Sequence, residues 1–320
     1  MYNNTEANNL VDSLAEKLSR KFNYSFYVAK IINKPEESIN QFELEVCFNE
    51  LDKSFVDKSL TDICDKFQNT HNIKVKVNYY QEPHDLDEQI QKSIKKDFDN
   101  EENLETIVAG GGGIAIDPSN NYDRTLGIIF SDQNGSKKYG ITCEHGNLKL
   151  YQKLRYARRK LKRPNPLIGE IIYQNCELDY SIIDLYELPN PYTYEKFIID
   201  INDAINFEER LNLKKDDPVL KYGNKTSLTK SKIYSDYSSF KIKDDKLRKS
   251  FILVDNYKLR FSKEGDSGSV VLTQINNKKY AIGLISFHSN GKLHVSPITK
   301  ISNHLEKNSK EKIRIINNKK

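Results

Sequence analysis

A short glycine-containing turn carries the residues most able to do chemistry. Gly265-Asp266-Ser267-Gly268 places a serine between two glycines and precedes the apolar run Val270-Val271-Leu272. Glycine tolerates unusual backbone dihedrals and lets a backbone approach a carbonyl group closely. Such a turn can expose the Ser267 hydroxyl beside the N–H groups of Gly265 and Ser267, which could both point at a developing oxyanion. The turn predicts acyl transfer with Ser267 as the nucleophile.

A serine hydroxyl needs a base, and two upstream segments supply candidates. An apolar, strand-like run ends at His145, and another such run begins after Asp179. Imidazole titrates near neutral pH, so His145 can accept the serine proton and later return it. A carboxylate at Asp179 would hold the His145 tautomer and stabilise its imidazolium form. Asp184, five positions further along the same strand, is the alternative, and the two aspartates face opposite sides.

The order His145, Asp179, Ser267, with the flanking residues, resembles the chymotrypsin-like (trypsin-fold) serine peptidases. Their triad segments are similar to Thr142-Cys143-Glu144-His145, to Asp179 with its alternating small and apolar residues, and to the Gly-Asp-Ser-Gly turn. The likeness covers about residues 107 to 308. It implies a mostly β fold with two antiparallel six-stranded barrels, at about 107–188 and 217–301, and a cleft between them.

Within that family the sequence looks closer to intracellular bacterial and plant narrow-leaf-type trypsin-like proteins. Thr125-Leu126-Gly127 is similar to their strand leading to the histidine, and Lys221-Tyr222-Gly223 begins a segment similar to the hairpin that opens their second barrel. Ser296-Pro297-Ile298 resembles the closing strand and the start of the terminal helix. Gly146 stands where secreted trypsins have a cysteine, so the disulfide around that loop is not expected.

The resemblance implies a serine endopeptidase that acts on a protein or peptide through an acyl-enzyme, with no metal or organic cofactor. Two alternatives stay open: a catalytically inactive binding or scaffold protein on the same fold, and an esterase-type hydrolase. The family's primary substrate pocket would involve Phe261, Ser286 and His288. Phe261 stands where trypsins carry an acid, so we expect small apolar or acidic side chains to be preferred over Lys or Arg.

Ile107 raises the question of activation by cleavage. Its separation from His145 is near that of the mature N-terminus in activated trypsins, whose freed amine pairs with the aspartate before the nucleophile, here Asp266. Thr106 is not a trypsin-type cleavage site, and the glycines that follow Ile107 equally suit a flexible entry into the first strand. The prediction favours a chain that is not activated in this way.

Residues 1–104 are predicted to form a separate small α/β domain for regulation or recruitment. Apolar residues at helical spacing predict a helix from Leu10 to Phe22, and alternation predicts strands at 24–32, 42–48 and 73–80. Further helices are expected at 60–67, 86–98 and, between the barrels, 200–211. The acidic stretch 97–105 is the linker candidate. This domain is the candidate site for a protein partner.

Composition places the chain with intracellular enzymes. It has 320 residues, a net charge of +5 and only four cysteines. Cys143 and Cys176 could in principle pair, but free buried thiols are favoured. No signal region or apolar run long enough for a membrane span is visible, so the prediction is cytoplasmic, with unconventional secretion left open. Basic residues crowd positions 153–163, where a solvated face is favoured over a patch for an acidic partner, and nucleic acid is a minor option. Residues 309–320 form a basic tail without an assigned role.

Overall fold

A computed structural model describes residues 3–32, 42–81, 107–109, 111–115, 124–131, 137–146, 148–157, 166–189, 193–195, 213–256, 261–275 and 278–308. Within these ranges strands predominate. The helices are α1 (Asn4–Lys21), α2 (Lys53–His71) and α3 (Ile298–Asn308), with a 3-10 turn at Glu50–Asp52. The strands of the N-terminal region are β1 (Phe26–Ile32), β2 (Phe42–Asn49) and β3 (Val75–Tyr80). None of the described helices is long and apolar enough to cross a membrane.

The strands of the first barrel are β5 (Gly113–Ala115), β6 (Arg124–Thr125), β7 (Ile129–Ser131), β8 (Lys138–Thr142), β9 (Lys153–Ala157), β10 (Leu167–Asn175) and β11 (Tyr180–Leu185). The first barrel has six strands if β6 and β7, which follow each other directly along the chain, are counted as one. Their order is β6-β5-β9-β10-β11-β8-β7. Because β6 and β7 are consecutive pieces of one run of chain, the sheet returns to its starting edge. An apolar core that includes Ile114, Leu154 and Ile183 fills the interior.

The second barrel closes more simply. Its strands are β13 (Pro218–Gly223), β14 (Ser227–Lys241), β15 (Arg248–Asp255), β16 (Val270–Ile275), β17 (Lys278–Ser289) and β18 (Lys292–Pro297). They follow the order β13-β16-β17-β18-β15-β14, and an additional pairing of β13 with β14 closes the ring. Helix α3 follows β18 and buries Ile298, Ile301 and Leu305 against residues of both barrels. The predicted two-barrel fold is confirmed.

The N-terminal region is α/β, as predicted, and its sheet continues into the second barrel. β1 pairs antiparallel with β2 on one side and, through Phe26 to Ala29, with Ser238 to Lys241 of β14 on the other. β14 has 15 residues, more than an ordinary strand, and its far half makes this second pairing. Helices α1 and α2 cover one face of the sheet around a core that includes Leu14, Phe48 and Leu60.

Some predicted elements change their bounds or their neighbours. α2 is much longer than the predicted segment at 60–67. β4 (Ile107–Ala109) lies outside the first barrel sheet and pairs in parallel with β12 (Thr193–Glu195) of the connection between the barrels. The predicted helices at 86–98 and 200–211, the linker at 97–105 and the tail at 309–320 lie outside the described residues.

Candidate active site

The His145 ring contacts the Asp179 carboxylate directly. Nδ1 of His145 lies 2.8 Å from Oδ2 and 3.0 Å from Oδ1 of Asp179. The same carboxylate accepts the backbone N–H groups of His145, at 2.9 Å, and of Glu144, at 3.1 Å. Asp179 is fully buried, and its backbone has the uncommon φ of 51°. These contacts fix the histidine ring and its backbone to one carboxylate, which is Asp179 and not the alternative, Asp184.

The loop after His145 is held by a buried arginine. Arg124 Nη2 donates to Gly146 O over 2.7 Å, and Arg124 has 3% of its surface exposed. Gly146 has φ of 90°, and a Cβ there would lie 2.4 Å from Arg124 Nη2. A glycine at this position lets the loop pack closely against Arg124. No motif in the sequence indicated this function for Arg124.

Ser286 connects the aspartate to the serine turn. Its hydroxyl, fully buried, donates to Asp179 Oδ2, and its carbonyl accepts the Ser267 hydroxyl at 3.5 Å. Among the described residues, Ser267 Oγ makes no hydrogen bond to His145. The structure therefore assembles the three predicted residues around Ser286, with Ser267 turned toward the Ser286 carbonyl. The Ser286 side chain is hydrogen-bonded to Asp179, whereas the sequence predicted it as part of the substrate pocket.

The Ser267 turn packs on the first barrel. The carbonyl of Ser267 accepts the Thr125 N–H at 2.8 Å. Gly268 has φ of 89°, and a Cβ there would lie 2.5 Å from Thr125 O and from Thr142 Oγ1. Gly265 has φ of 91°. Among the described residues, no backbone carbonyl accepts the N–H of Gly265 or Ser267. The positive φ of Gly265 and of Gly268 is a backbone conformation that favours glycine at both positions.

Asp266, next to the serine, sits in a cage of donors. Lys221 Nζ lies 3.1 Å from its carboxylate, and both side chains are completely buried. The other donors are Thr226 Oγ1 at 2.6 Å and the N–H groups of Lys225, Thr226 and Lys263 at 2.8, 3.2 and 3.1 Å. Burial raises the pKa of Asp266, but Lys221 and these hydrogen bonds lower it further, so the net shift is downward.

This cage differs from the arrangement in activated trypsins. There the freed amine of the first residue pairs with the aspartate before the nucleophile, and Ile107 is the residue of this chain that stands near the corresponding position. Here an internal lysine, Lys221, makes the pair with Asp266. Ile107 instead pairs with Thr193 in the small parallel sheet. The carboxylate thus has its cation without a cut before Ile107.

The environment of His145 favours its protonated form. Burial alone lowers the pKa of the ring, but the neighbouring Cys143 sulfur and the Asp179 carboxylate outweigh that effect and raise it above its ordinary value. Phe287 covers the ring, with a centroid separation of 4.5 Å, and the Arg248 guanidinium lies 4.6 Å from the Phe287 centroid. Cys143 is a free, buried thiol, and of the four free cysteines only Cys176 is exposed.

The remaining predicted pocket residues lie at different depths. Phe261 is almost fully buried in the core of the second barrel. His288 is partly exposed, and its Nδ1 lies 2.8 Å from Asn256 Nδ2. The sequence motifs did not indicate a function for Asn256 or Lys221. For Lys221 there was a signal, because a lysine inside the apolar strand run 219–223 needs a buried partner.

Comparison with known proteins gives similarity to serine peptidases. The model of Peptidase family S64 matches residues 185–310, which include the second barrel and the Ser267 turn. No curated protein matches the chain. Protease A of Thermobifida fusca is similar in structure, with 14% identity and a TM-score of 0.44, over 62% of this chain and 95% of that chain. Nocardiopsis protease is 12% identical with a TM-score of 0.45, over 62% of this chain and 95% of that chain. Cellulomonas bogoriensis chymotrypsin is 15% identical with a TM-score of 0.43, over 66% of this chain and 99% of that chain.

Proposed function

We propose that this protein is a serine endopeptidase in which Ser267 attacks the peptide carbonyl. The observation that carries the proposal is the hydrogen-bonded series from His145 through Asp179 and Ser286 to Ser267. The Asp179 contact at Nδ1 makes that nitrogen the donor, which leaves Nε2 as the proton acceptor of the neutral ring. A rotation of the Ser267 side chain away from the Ser286 carbonyl would direct its hydroxyl to that nitrogen, since catalytic hydrogen bonds are often loose without substrate.

In the proposed reaction, the Ser267 oxygen bonds to the carbonyl carbon while its proton moves to His145. The tetrahedral oxyanion is held by the N–H groups of Gly265 and Ser267, each donor lowering the barrier by about 3 to 4 kcal/mol. Collapse breaks the peptide bond, and His145 returns the proton to the leaving amine. Water then repeats the sequence on the acyl-enzyme and releases the acid. Asp179 stays ionised and stabilises the imidazolium form.

We also propose that the oxyanion turn is ready without proteolytic activation. The support is the buried pair of Lys221 with Asp266, the residue between the two proposed oxyanion donors. Because the pair lies within one barrel, folding alone brings it together.

Labelling by a fluorophosphonate probe, which reacts with activated serines, tests the proposal. We expect the wild-type chain to be labelled, Ser267→Ala to be unlabelled, and Ser231→Ala to behave as wild type. Ser231 is the matched control because its hydroxyl binds the Asp255 carbonyl, outside the site. A folded wild-type sample without Ser267-dependent labelling would instead favour the inactive binding protein.

Cleavage of a peptide library separates the endopeptidase from the esterase-type hydrolase. The expected result is internal peptide cleavage that is lost in Ser267→Ala. Turnover of activated esters by a labelled enzyme that leaves every peptide intact would contradict the endopeptidase assignment.

A further inference from the structure

Three polar side chains meet beside the Ser267 turn. Asn256 follows β15, Ser262 lies five residues before Ser267, and His288 lies on β17 two residues beyond Ser286. Asn256 and Ser262 are buried, with 2% and 0% of their surface exposed, whereas His288 is partly exposed. The β17–β18 pairing has a register shift between Ile285 and His288, so regular strand alternation is interrupted there. His288 is the member of this cluster that a bound substrate can contact first.

Asn256 determines which nitrogen of His288 carries the proton. Its Oδ1 accepts the N–H groups of Phe261 and Ser262 at 3.1 and 2.9 Å, so Nδ2 is the donor end of the amide. Nδ2 donates to Ser262 O at 3.1 Å and to His288 Nδ1 at 2.8 Å. A ring nitrogen that accepts a hydrogen bond holds no proton. Neutral His288 therefore presents its N–H at Nε2.

The His288 Nε2–H and the Ser262 hydroxyl face each other loosely. Nε2 lies 3.4 Å from Ser262 Oγ, longer than the usual separation of about 3.0 Å. Burial lowers the pKa of His288 to about 4, and the charges of Asp266, Lys221 and His145 also act on it. The ring is therefore a neutral donor at pH 7. The partly exposed Nε2–H can contact a substrate oxygen directly, and the Ser262 hydroxyl, which has no exposed surface, lies behind it.

We propose that His288 Nε2, with the buried Ser262 hydroxyl behind it, binds the carboxylate of an acidic substrate residue, glutamate or aspartate, on the N-terminal side of the scissile bond. The inference rests on the proposed peptidase function. A carboxylate only accepts hydrogen bonds, which suits two donors, whereas an amide would need an acceptor for its own N–H groups. An apolar side chain would leave the His288 Nε2–H with only its long contact to Ser262.

The charges around the turn agree with an acidic ligand. Asp266 is paired with Lys221, so it adds little negative charge to the pocket. Lys225 packs along Gly265, where a Cβ would meet its side chain at 2.6 Å, and Lys263 follows Ser262 directly. Near the turn there are thus two lysines and one exposed acid, Glu264, so the local charge favours an anionic ligand.

The test compares fluorogenic peptides that differ only in the residue before the scissile bond: Glu, Asp, Gln, Leu or Lys. We expect kcat/KM of the wild type to be about 10- to 100-fold higher for the better acidic peptide than for Leu, the range of a hydrogen bond to a charged group. His288→Leu should reduce that ratio to near one. His288→Gln, which can keep a nitrogen donor, should retain most of it, and Ser262→Ala should lower it several-fold.

His304→Leu is the matched control, because His304 lies on α3 and contacts Tyr180 and Asn175 away from the cluster. Its ratio should equal that of the wild type. The ratio is compared within each variant, so a general loss of activity does not imitate the expected result, and Ser262→Ala keeps the test valid if His288→Leu does not fold. A labelled wild-type enzyme that prefers Gln, Leu or Lys, or an acidic preference that survives in both variants, would overturn the inference. Absence of Ser267-dependent labelling would refute the proposed function itself, and the inference with it.

Discussion

The buried pair of Lys221 and Asp266 allows the sharpest prediction on stability and reactivity together. Lys221→Met keeps the length of the side chain but removes its charge, leaving Asp266 with the Thr226 hydroxyl and three backbone N–H groups. Breaking one side of a fully buried pair costs about 3 to 5 kcal/mol. Since four donors remain, we expect the lower end, about 3 kcal/mol, in the free energy of unfolding measured by urea denaturation.

The same change should slow the reaction of Ser267 with the fluorophosphonate probe. Asp266 lies between the proposed oxyanion donors Gly265 and Ser267, and losing one such donor typically costs about 10²- to 10³-fold in rate. The control is Lys232→Met on β14, because Lys232 and its partner Asp216 are 63% and 62% exposed and should contribute little. Wild-type labelling together with a stability loss under about 1 kcal/mol in Lys221→Met would refute the reasoning.

Asp266 also links the pair to acid stability. Its pKa is lowered in the folded state, so its contribution is fully present above the ordinary carboxyl pKa of about 4 and disappears as the pH falls through the lowered value.

Two further predictions concern the candidate site. Because neutral His145 is the proposed base and its pKa is raised, kcat/KM should increase with pH with a midpoint above the ordinary value of about 6.5, and Asp179→Asn, which removes the neighbouring charge, should move that midpoint down; a pH–rate profile with a midpoint at or below 6.5 would contradict this. Gly268→Ala places a Cβ 2.5 Å from Thr125 O at a φ of 89°, so the free energy of unfolding measured by urea denaturation should fall by about 1 to 3 kcal/mol. An unchanged denaturation midpoint would count against the described turn.

Local sequence patterns predicted much of the architecture. Helical spacing from Leu10 to Phe22 corresponds to α1, and alternating apolar residues correspond to β1, β2 and β3. The motifs at His145, Asp179 and Ser267 identified segments that the fold brings together. Each of these signals is contained in a short stretch of chain, where periodicity and turn chemistry act directly.

The rest depended on contacts between distant residues. Lys221 and Asp266 are 45 positions apart, and no residue pattern near Lys221 predicts which acid it pairs with. No local motif surrounds Asn256, because its function depends on its place opposite His288. Ser286 was assigned to the pocket from its position after the nucleophile, but side-chain direction decides that it donates to Asp179. The continuation of the sheet from β1 to β14 likewise depends on strand partner choice, which no local pattern encodes.

That continuation makes β1 to β3 and the second barrel interdependent in folding. Phe240 and Phe251 of the barrel share an apolar cluster with Tyr27 and Cys47, and Phe287, which covers His145, packs against it. Excision of the first 81 residues would leave the outer half of β14 as a bare sheet edge with uncovered aromatic rings, a template for aggregation. The two barrels expressed without that portion would consequently be a poor reagent, and heating of the intact polypeptide should melt both portions in one transition.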